Sequence, residues 1–167
     1  TAMHAGLSAK ISIEKLCKIH TEVDIASEFR YRDPLVDGKT LCIFISQSGE
    51  TADTIAALKL CKEKGAKTLA ISNVIGSSIT READYSIYTH AGPEIAVAST
   101  KAYTSQITLL TLLAIYFAQV LESSTETILS DVIKDLLDLP NKIELLLKDT
   151  KQLQNISKKL FKEKDVF

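Results

Sequence analysis

Apolar residues recur along this chain in two rhythms, and their alternation predicts a layered α/β protein. Residues 40–46 (TLCIFIS) and 67–72 (KTLAIS) are continuous runs of branched and aromatic side chains, the mark of parallel strands buried on both faces. Residues 85–90 (YSIYTH) predict a third strand. Residues 21–27 (TEVDIAS), where Val23 and Ile25 alternate with acids, predict a short one before them. Between the runs the spacing turns helical. Leu7, Ile11, Ile13 and Leu16 form a stripe over residues 2–19, and Ile55, Leu58, Leu60 and Cys61 form another that Gly65 ends. NVIGSSITREAD (73–84) reads as a turn into a short helix, and residues 99–121 as a long, mostly apolar one. Strands alternating with helices at this spacing place a parallel sheet between helical layers.

After Glu122 the pattern changes. ESSTET offers helix caps, and Ile128, Val132, Leu136, Leu137 and Leu139 mark an amphipathic helix. Pro140 is expected to start another, with Ile143, Leu146 and Leu147. A third helical stretch, 150–163, carries Leu153, Ile156 and Leu160 among lysines, and Asp165-Val166-Phe167 reads as a strand beginning. Residues 32–40 (RDPLVDGKT) are a surface loop. The 167 residues are expected to form one domain, with 126–167 as its helical C-terminal segment, cut from a longer polypeptide.

Charge and composition narrow the function. A formal net charge of −1 argues against nucleic acid or an acidic membrane surface as partner. The run from Ile107 to Leu121 is about 15 residues against the ~20 a membrane helix needs, and predicts a buried helix. Residues 1–20 mix lysines and an acid into the apolar pattern, unlike a leader peptide. A cytoplasmic protein with no membrane contact is expected. Cys17, Cys42 and Cys61 stand at wide spacings and read as buried thiols. His4, His20 and His90 share no ligand spacing with them, so no metal site is expected.

The candidate chemistry lies where the first buried strand gives way to a helix. FISQSGETADT places Ser46, Ser48, Thr51 and Thr54 around Gly49, and one helix needs one capping hydroxyl. In a parallel sheet ligands bind beyond the carboxyl ends of the strands. Helix N-termini there offer free N–H groups to an anion. Small hydroxyl residues add donors, and Gly49 lets the backbone approach. The alternative is that Ser48 simply caps the helix, with Thr51 at its N3 position. Nucleotide loops of the G-x-x-x-x-G-K-[ST] or G-x-G-x-x-G type are absent, and no lysine or arginine lies in the loop, which favours a phosphomonoester held by neutral donors.

AGPEIAVASTKAYTSQ (91–106) is a second candidate, with backbone near Val97 and the Ser99 hydroxyl; a turn plus a helix cap is its alternative. SIEK (12–15) lacks the companion motifs of penicillin-binding enzymes, and G-x-S-x-G is absent. Asn155 begins a glycosylation sequon that a cytoplasmic protein does not use. Glu50 and Glu94 have no partner placed to tune them as bases, and Glu50 is expected to favour the N-terminus of the helix it precedes.

SQSGETADT, NVIGSSITREAD, GPEIAVASTKAYTSQ and VDIASEFRYR (23–32) together resemble the first sugar-isomerase (SIS) domain of the glutamine–fructose-6-phosphate aminotransferases, or glucosamine-6-phosphate synthases. The likeness runs over essentially the whole chain. It implies a three-layer αβα sandwich on a parallel sheet, flavodoxin-like or Rossmann-like, with C-terminal helices. It implies that Ser46, Gln47, Ser48, Gly49 and Thr51 hold the phosphate of fructose 6-phosphate and part of the sugar, with Val97 and Ser99 on the sugar. Thr1 remains from a further binding segment, usually Cys-Gly-Thr-Ser, in which Ala2 here replaces the serine. The same likeness implies a glutaminase domain and a second SIS domain elsewhere in the parent chain, and a homodimer. The acid–base residues would lie in that second domain, leaving none here, and neither metal nor cofactor is implied. The reaction so implied converts fructose 6-phosphate and glutamine to glucosamine 6-phosphate and glutamate, opening amino-sugar (UDP-N-acetylglucosamine) biosynthesis. Two other classes stay open. A sugar-phosphate-sensing regulator would need a basic DNA-binding element, and a stand-alone aldose–ketose phosphate isomerase would need His90 and Glu94 as its acid–base groups.

Overall fold

The structure, a computed structural model, describes residues 1–95 and 98–165. Val97, and all but Asp165 of the strand anticipated at residues 165–167, therefore lie outside the described residues. Two compact units are present, Thr1–Ser124 and Thr125–Phe167. The first holds α1 (Ala2–Cys17), α2 (Ala26–Phe29), β1 (Leu41–Ser46), α3 (Ala52–Glu63), β2 (Lys67–Ser72), α4 (Ser78–Glu82), β3 (Tyr85–Tyr88) and α5 (Lys101–Val120). The second holds α6 (Glu126–Lys148) and α7 (Lys151–Leu160).

The sheet is parallel, in the order β1-β2-β3, with Leu41 opposite Lys67, Ser46 opposite Ser72, and Ser72 opposite Tyr88. This register ends β1 and β2 at one level, so the segments following them meet. β2 is central and buried at every residue after Lys67. β1 departs from the reading of a strand buried on both faces: it is an edge of this sheet, with Leu41 exposed and only Phe44 and Ser46 buried. Its alternation still separates two layers. Phe44 and its neighbour Ala70 pack with Ala57, Leu58 and Cys61 of α3 and Ile79 of α4. Ile45, on the opposite face, approaches Gly6 of α1. Leu58 and Ile79 are fully buried, each worth about 1.5–3 kcal/mol of apolar transfer.

The α1 stripe differs from the one its larger residues predict. Ala5, Gly6, Ala9, Ile13, Leu16 and Cys17 are buried, while Leu7 and Ile11 are exposed. Small residues face inward because α5 lies close, through Ala102, Leu110, Ala114 and Ala118. Cys17 Sγ donates to Ala114 O at 3.3 Å, and the Ser123 and Ser124 hydroxyls donate to Leu16 O at 2.9 and 2.8 Å. The two helices thus run side by side in the same direction. α5, at 20 residues, exceeds the predicted apolar run and is long and apolar enough to cross a membrane by length and composition. In this fold its small-residue face is packed along α1.

Residues 18–25 form no strand, contrary to the alternation of TEVDIAS, and α2 follows them directly. Side chains take the backbone donors that a neighbouring strand would have used: Thr21 N–H donates to Glu14 Oε1 at 3.1 Å and Ile25 N–H to Asp24 Oδ1 at 2.8 Å. In the second unit, α6 runs unbroken through Pro140 instead of restarting there. Pro140 leaves the carbonyl one turn earlier, that of the half-buried Leu136, without a helical donor. Thr125 caps α6 by accepting the Ile128 N–H.

Candidate functional site

Loop 46–51 joins β1 to α3, and its hydroxyls divide into two kinds. Ser46 is buried, and its Oγ accepts the Gly49 N–H at 3.0 Å, closing the loop on itself. Gly49 adopts φ +69°, a left-handed conformation that suits glycine. Ser48 and Thr51 are exposed. Ser48 Oγ accepts the Glu50 N–H at 3.2 Å. Thr51 is the N-cap of α3, yet its side chain makes no capping bond. The Gln47 carbonyl accepts the Asn73 N–H at 3.2 Å, while its buried side-chain oxygen Oε1 has no partner. Asp53, the acid in the first turn of α3, is engaged by Arg30 at 2.7 Å, which offsets a charge that would repel an anion there.

The loop rests on the segment after β2. Gly49 O accepts the Ile79 N–H at 3.0 Å, and a Cβ on Gly49 would stand 2.1 Å from Ser77 Oγ. Glu50 reaches α4 instead of α3: its Oε1 accepts the Ser78 N–H at 2.8 Å. That corrects its expected service to the helix it precedes. The side-chain and backbone hydrogen bonds from Ser78 hold the Glu50 carboxyl below the usual carboxylate range. Asn73 carries the connection onward. Its Oδ1 accepts the Thr89 hydroxyl at 3.0 Å and the Ala91 N–H at 2.8 Å, and its Nδ2 donates to Gly92 O at 2.8 Å.

At the start of α5, Glu94 Oε1 accepts the Thr100 and Lys101 N–H groups at 2.9 and 3.0 Å, and Oε2 accepts the Ser99 hydroxyl at 3.3 Å. The backbone bond from Thr100, the largest of these effects, holds the Glu94 carboxyl low, making it a poor base. Thr1 is the exposed N-cap of α1, without a side-chain capping bond, and α1 and α5 begin at the same end of the unit. Loops 46–51, 72–79 and 89–92 are therefore tied together at the carboxyl ends of the strands, whereas Val97 lies outside the described residues. Ser72, Asn73 and Ser77, all structural to this assembly, went unnoticed in the sequence. Their signal was the polar cluster following β2 at the level where SQSGET follows β1. Among the described residues no group of three His, Cys, Asp or Glu side chains is placed to hold a metal ion. The outward donors are hydroxyls and helix N–H groups, which suit phosphate oxygens.

The SIS domain family matches residues 1–116. The isomerising glutamine–fructose-6-phosphate aminotransferase of Clostridium tetani is 52% identical over all of this chain and 28% of its own length. That of Thermococcus kodakarensis is 49% identical over 100% and 28%. The chain thus spans a little over a quarter of these curated relatives. Among solved structures, the C-terminal domain of glucosamine-fructose-6-phosphate aminotransferase from Francisella tularensis superimposes with a TM-score of 0.87 at 40% identity, over 93% of this chain and 44% of that one. A glucosamine-6-phosphate deaminase from Thermotoga maritima shares the fold, with a TM-score of 0.67 at 21% identity over 80% and 40% of the two chains.

Proposed function

The chain belongs to the SIS domain family, and from that premise we propose that it is the sugar-phosphate-binding module of an isomerising glutamine–fructose-6-phosphate aminotransferase. Its ligand in this reading is fructose 6-phosphate. The Ser48 and Thr51 hydroxyls and the first N–H groups of α3 receive the phosphate, Gln47 and Gly49 shape the backbone around it, and Ser46 holds the loop closed. Ser99 and Thr1 lie at the starts of the helices that border the same end, on the sugar side. The observation that carries the reading is Thr51: an N-cap whose hydroxyl is not used by its own helix, beside a first-turn acid already paired with Arg30. A phosphate dianion there meets donors and a helix terminus whose own first-turn carboxylate is already compensated.

The chain contributes binding and orientation, and proton transfer and ammonia supply come from elsewhere in the protein. Glu94, bonded by three donors, is not free to move a proton, which weighs against a stand-alone isomerase. The remainder of a relative of this length has room for the glutaminase and second SIS domains. In this reading the protein works in the cytoplasm, as a homodimer, at the entry to amino-sugar synthesis, with neither nucleic acid nor membrane as partner and without metal or cofactor. Calorimetric titration with fructose 6-phosphate and with fructose tests the reading. The phosphate should raise affinity at least about tenfold, and Ser48→Ala should remove about tenfold, for a charge-assisted bond worth roughly 1.5–3 kcal/mol. Equal affinity for the two sugars would overturn it.

A further inference from the structure

Loop 46–51 is exposed along much of its length, yet a preorganised binding loop has to hold its donors in place before the ligand arrives. Two backbone bonds anchor it, Asn73 N–H to Gln47 O and Ile79 N–H to Gly49 O. The third anchor is a side chain, Glu50 Oε1 accepting the Ser78 N–H at 2.8 Å. Arg81 fixes the other side of that contact, donating from Nη2 to Ser78 Oγ at 3.1 Å and from Nη1 to Gly76 O. Glu50 itself is exposed, so its place is set by this bond and not by packing. On charge alone an acid inside an anion-binding loop is unfavourable, which makes its presence a matter of geometry.

We propose that Glu50 is a positioning residue for the phosphate loop: by accepting the Ser78 N–H it locks residues 46–51 onto the start of α4 with Ser48 and Thr51 turned outward. The inference rests on the sugar-phosphate reading above for its consequence, but the clamp itself exists without ligand. The two ideas of what Glu50 does predict opposite signs. Removing a nearby negative charge strengthens phosphate binding, whereas releasing the clamp weakens it.

The test uses the full-length protein and two measurements, amide hydrogen exchange without ligand and fructose 6-phosphate affinity. Glu50→Ala should speed exchange at Gly49 and Ser78 by about tenfold and weaken affinity by about tenfold. Glu50→Gln keeps an acceptor oxygen without the charge and should restore both to within about threefold. Ser78→Pro removes the donor from the other side, at the first position of α4, where proline is tolerated. Ser77 before it, at φ −62° and ψ 161°, already has the conformation that proline requires of its predecessor. That variant, which has no amide at position 78, should reproduce the faster Gly49 exchange and the weaker affinity of Glu50→Ala, and serves if Glu50→Ala fails to fold. Unchanged exchange, or affinity that is unchanged or tighter in Glu50→Ala while Ser48→Ala weakens it, overturns the clamp. Faster exchange in Glu50→Ala, with fructose 6-phosphate affinity indifferent to Ser48→Ala, upholds the clamp and sinks the sugar-phosphate reading instead.

Discussion

Gly49 and Ser77 approach so closely that a methyl group on Gly49 would stand 2.1 Å from Ser77 Oγ and 2.5 Å from its Cβ. Backbone conformation adds to the conflict, since Gly49 sits at φ +69°. Gly49→Ala is expected to cost about 2–4 kcal/mol, combining overpacking with a left-handed residue that bears a Cβ. Ser77→Gly in the same chain should return part of that loss, but not all, because Ser72 Oγ would still lie 2.9 Å from the new methyl. Denaturant unfolding of the two single variants and the double variant measures the coupling. Additive losses would show that the two loops do not bear on each other.

Thr51→Val separates binding from capping. The hydroxyl makes no bond to α3, so stability should stay within about 0.5 kcal/mol of the parent. Fructose 6-phosphate affinity should fall about ten- to a hundredfold, the loss of one donor to a charged acceptor. Thermal unfolding and titration on the same variant are the check. Lost stability with unaltered affinity would make Thr51 a cap and nothing more.

The central strand was legible because burial on both faces leaves a continuous apolar run, and KTLAIS became β2 residue for residue. SQSGET stands out in the sequence because its hydroxyls exceed what a cap needs, and Thr51 makes no capping bond to its own helix. What escaped had physical causes that a linear pattern does not carry. Leu7 and Ile11 look like part of a core stripe with Ile13 and Leu16, but a helix packed tightly on a neighbour buries Ala5 and Ala9 instead and leaves those two exposed. TEVDIAS alternates like a strand, yet its donors go to Glu14 and Asp24. Proximity in sequence points Glu50 to α3, the helix it precedes. Its true partner, Ser78, is 28 residues away and becomes a neighbour only when β1 and β2 pair in register.

Acid stability should depend on the junction at the start of β2. Asp84 Oδ2 accepts both the N–H and the hydroxyl of Thr68 at 2.9 Å, and the Asp84 N–H returns a bond to Thr68 Oγ1 at 3.0 Å. The backbone bond from Thr68, then its hydroxyl, then the charges of Lys62 and Lys67 hold the Asp84 carboxyl below its ordinary value. The unfolded chain therefore takes up this proton first as pH falls. The stabilisation is complete above about pH 4, the unfolded value, and is lost as pH drops through the lower folded one. Asp84→Asn should flatten that part of the stability profile. Thr68→Val, fully buried, should cost about 1 kcal/mol at neutral pH. A profile of Asp84→Asn that parallels the parent down to the acid limit would disprove the assignment.

The three thiols should differ in reactivity. Burial pushes the Cys17 thiol up, and the hydrogen bond with Cys42, then burial, pushes Cys61 up. Cys42 is half-buried, and the same bond with Cys61 draws its thiol down. Titration with an aromatic disulfide near pH 8, about the free thiol value, should modify Cys42 first. Cys17 and Cys61 should react at the rate of unfolding. Simultaneous fast modification of all three would contradict this order.

Inward and outward hydroxyls at the carboxyl end of the sheet carry separate burdens. Ser46, Ser72 and Ser77 are buried at 5%, 0% and 3% exposure and hold their own loops closed, Ser46 by accepting the Gly49 N–H and Ser77 by donating to Ser72 Oγ, whereas Ser48 and Thr51 face solvent. On the proposed reading, architecture and ligand preference can therefore evolve independently here. Exchanges at positions 48 and 51 would then alter what is held without disturbing what holds it, and a library at those two positions would retune the module toward other phosphorylated sugars.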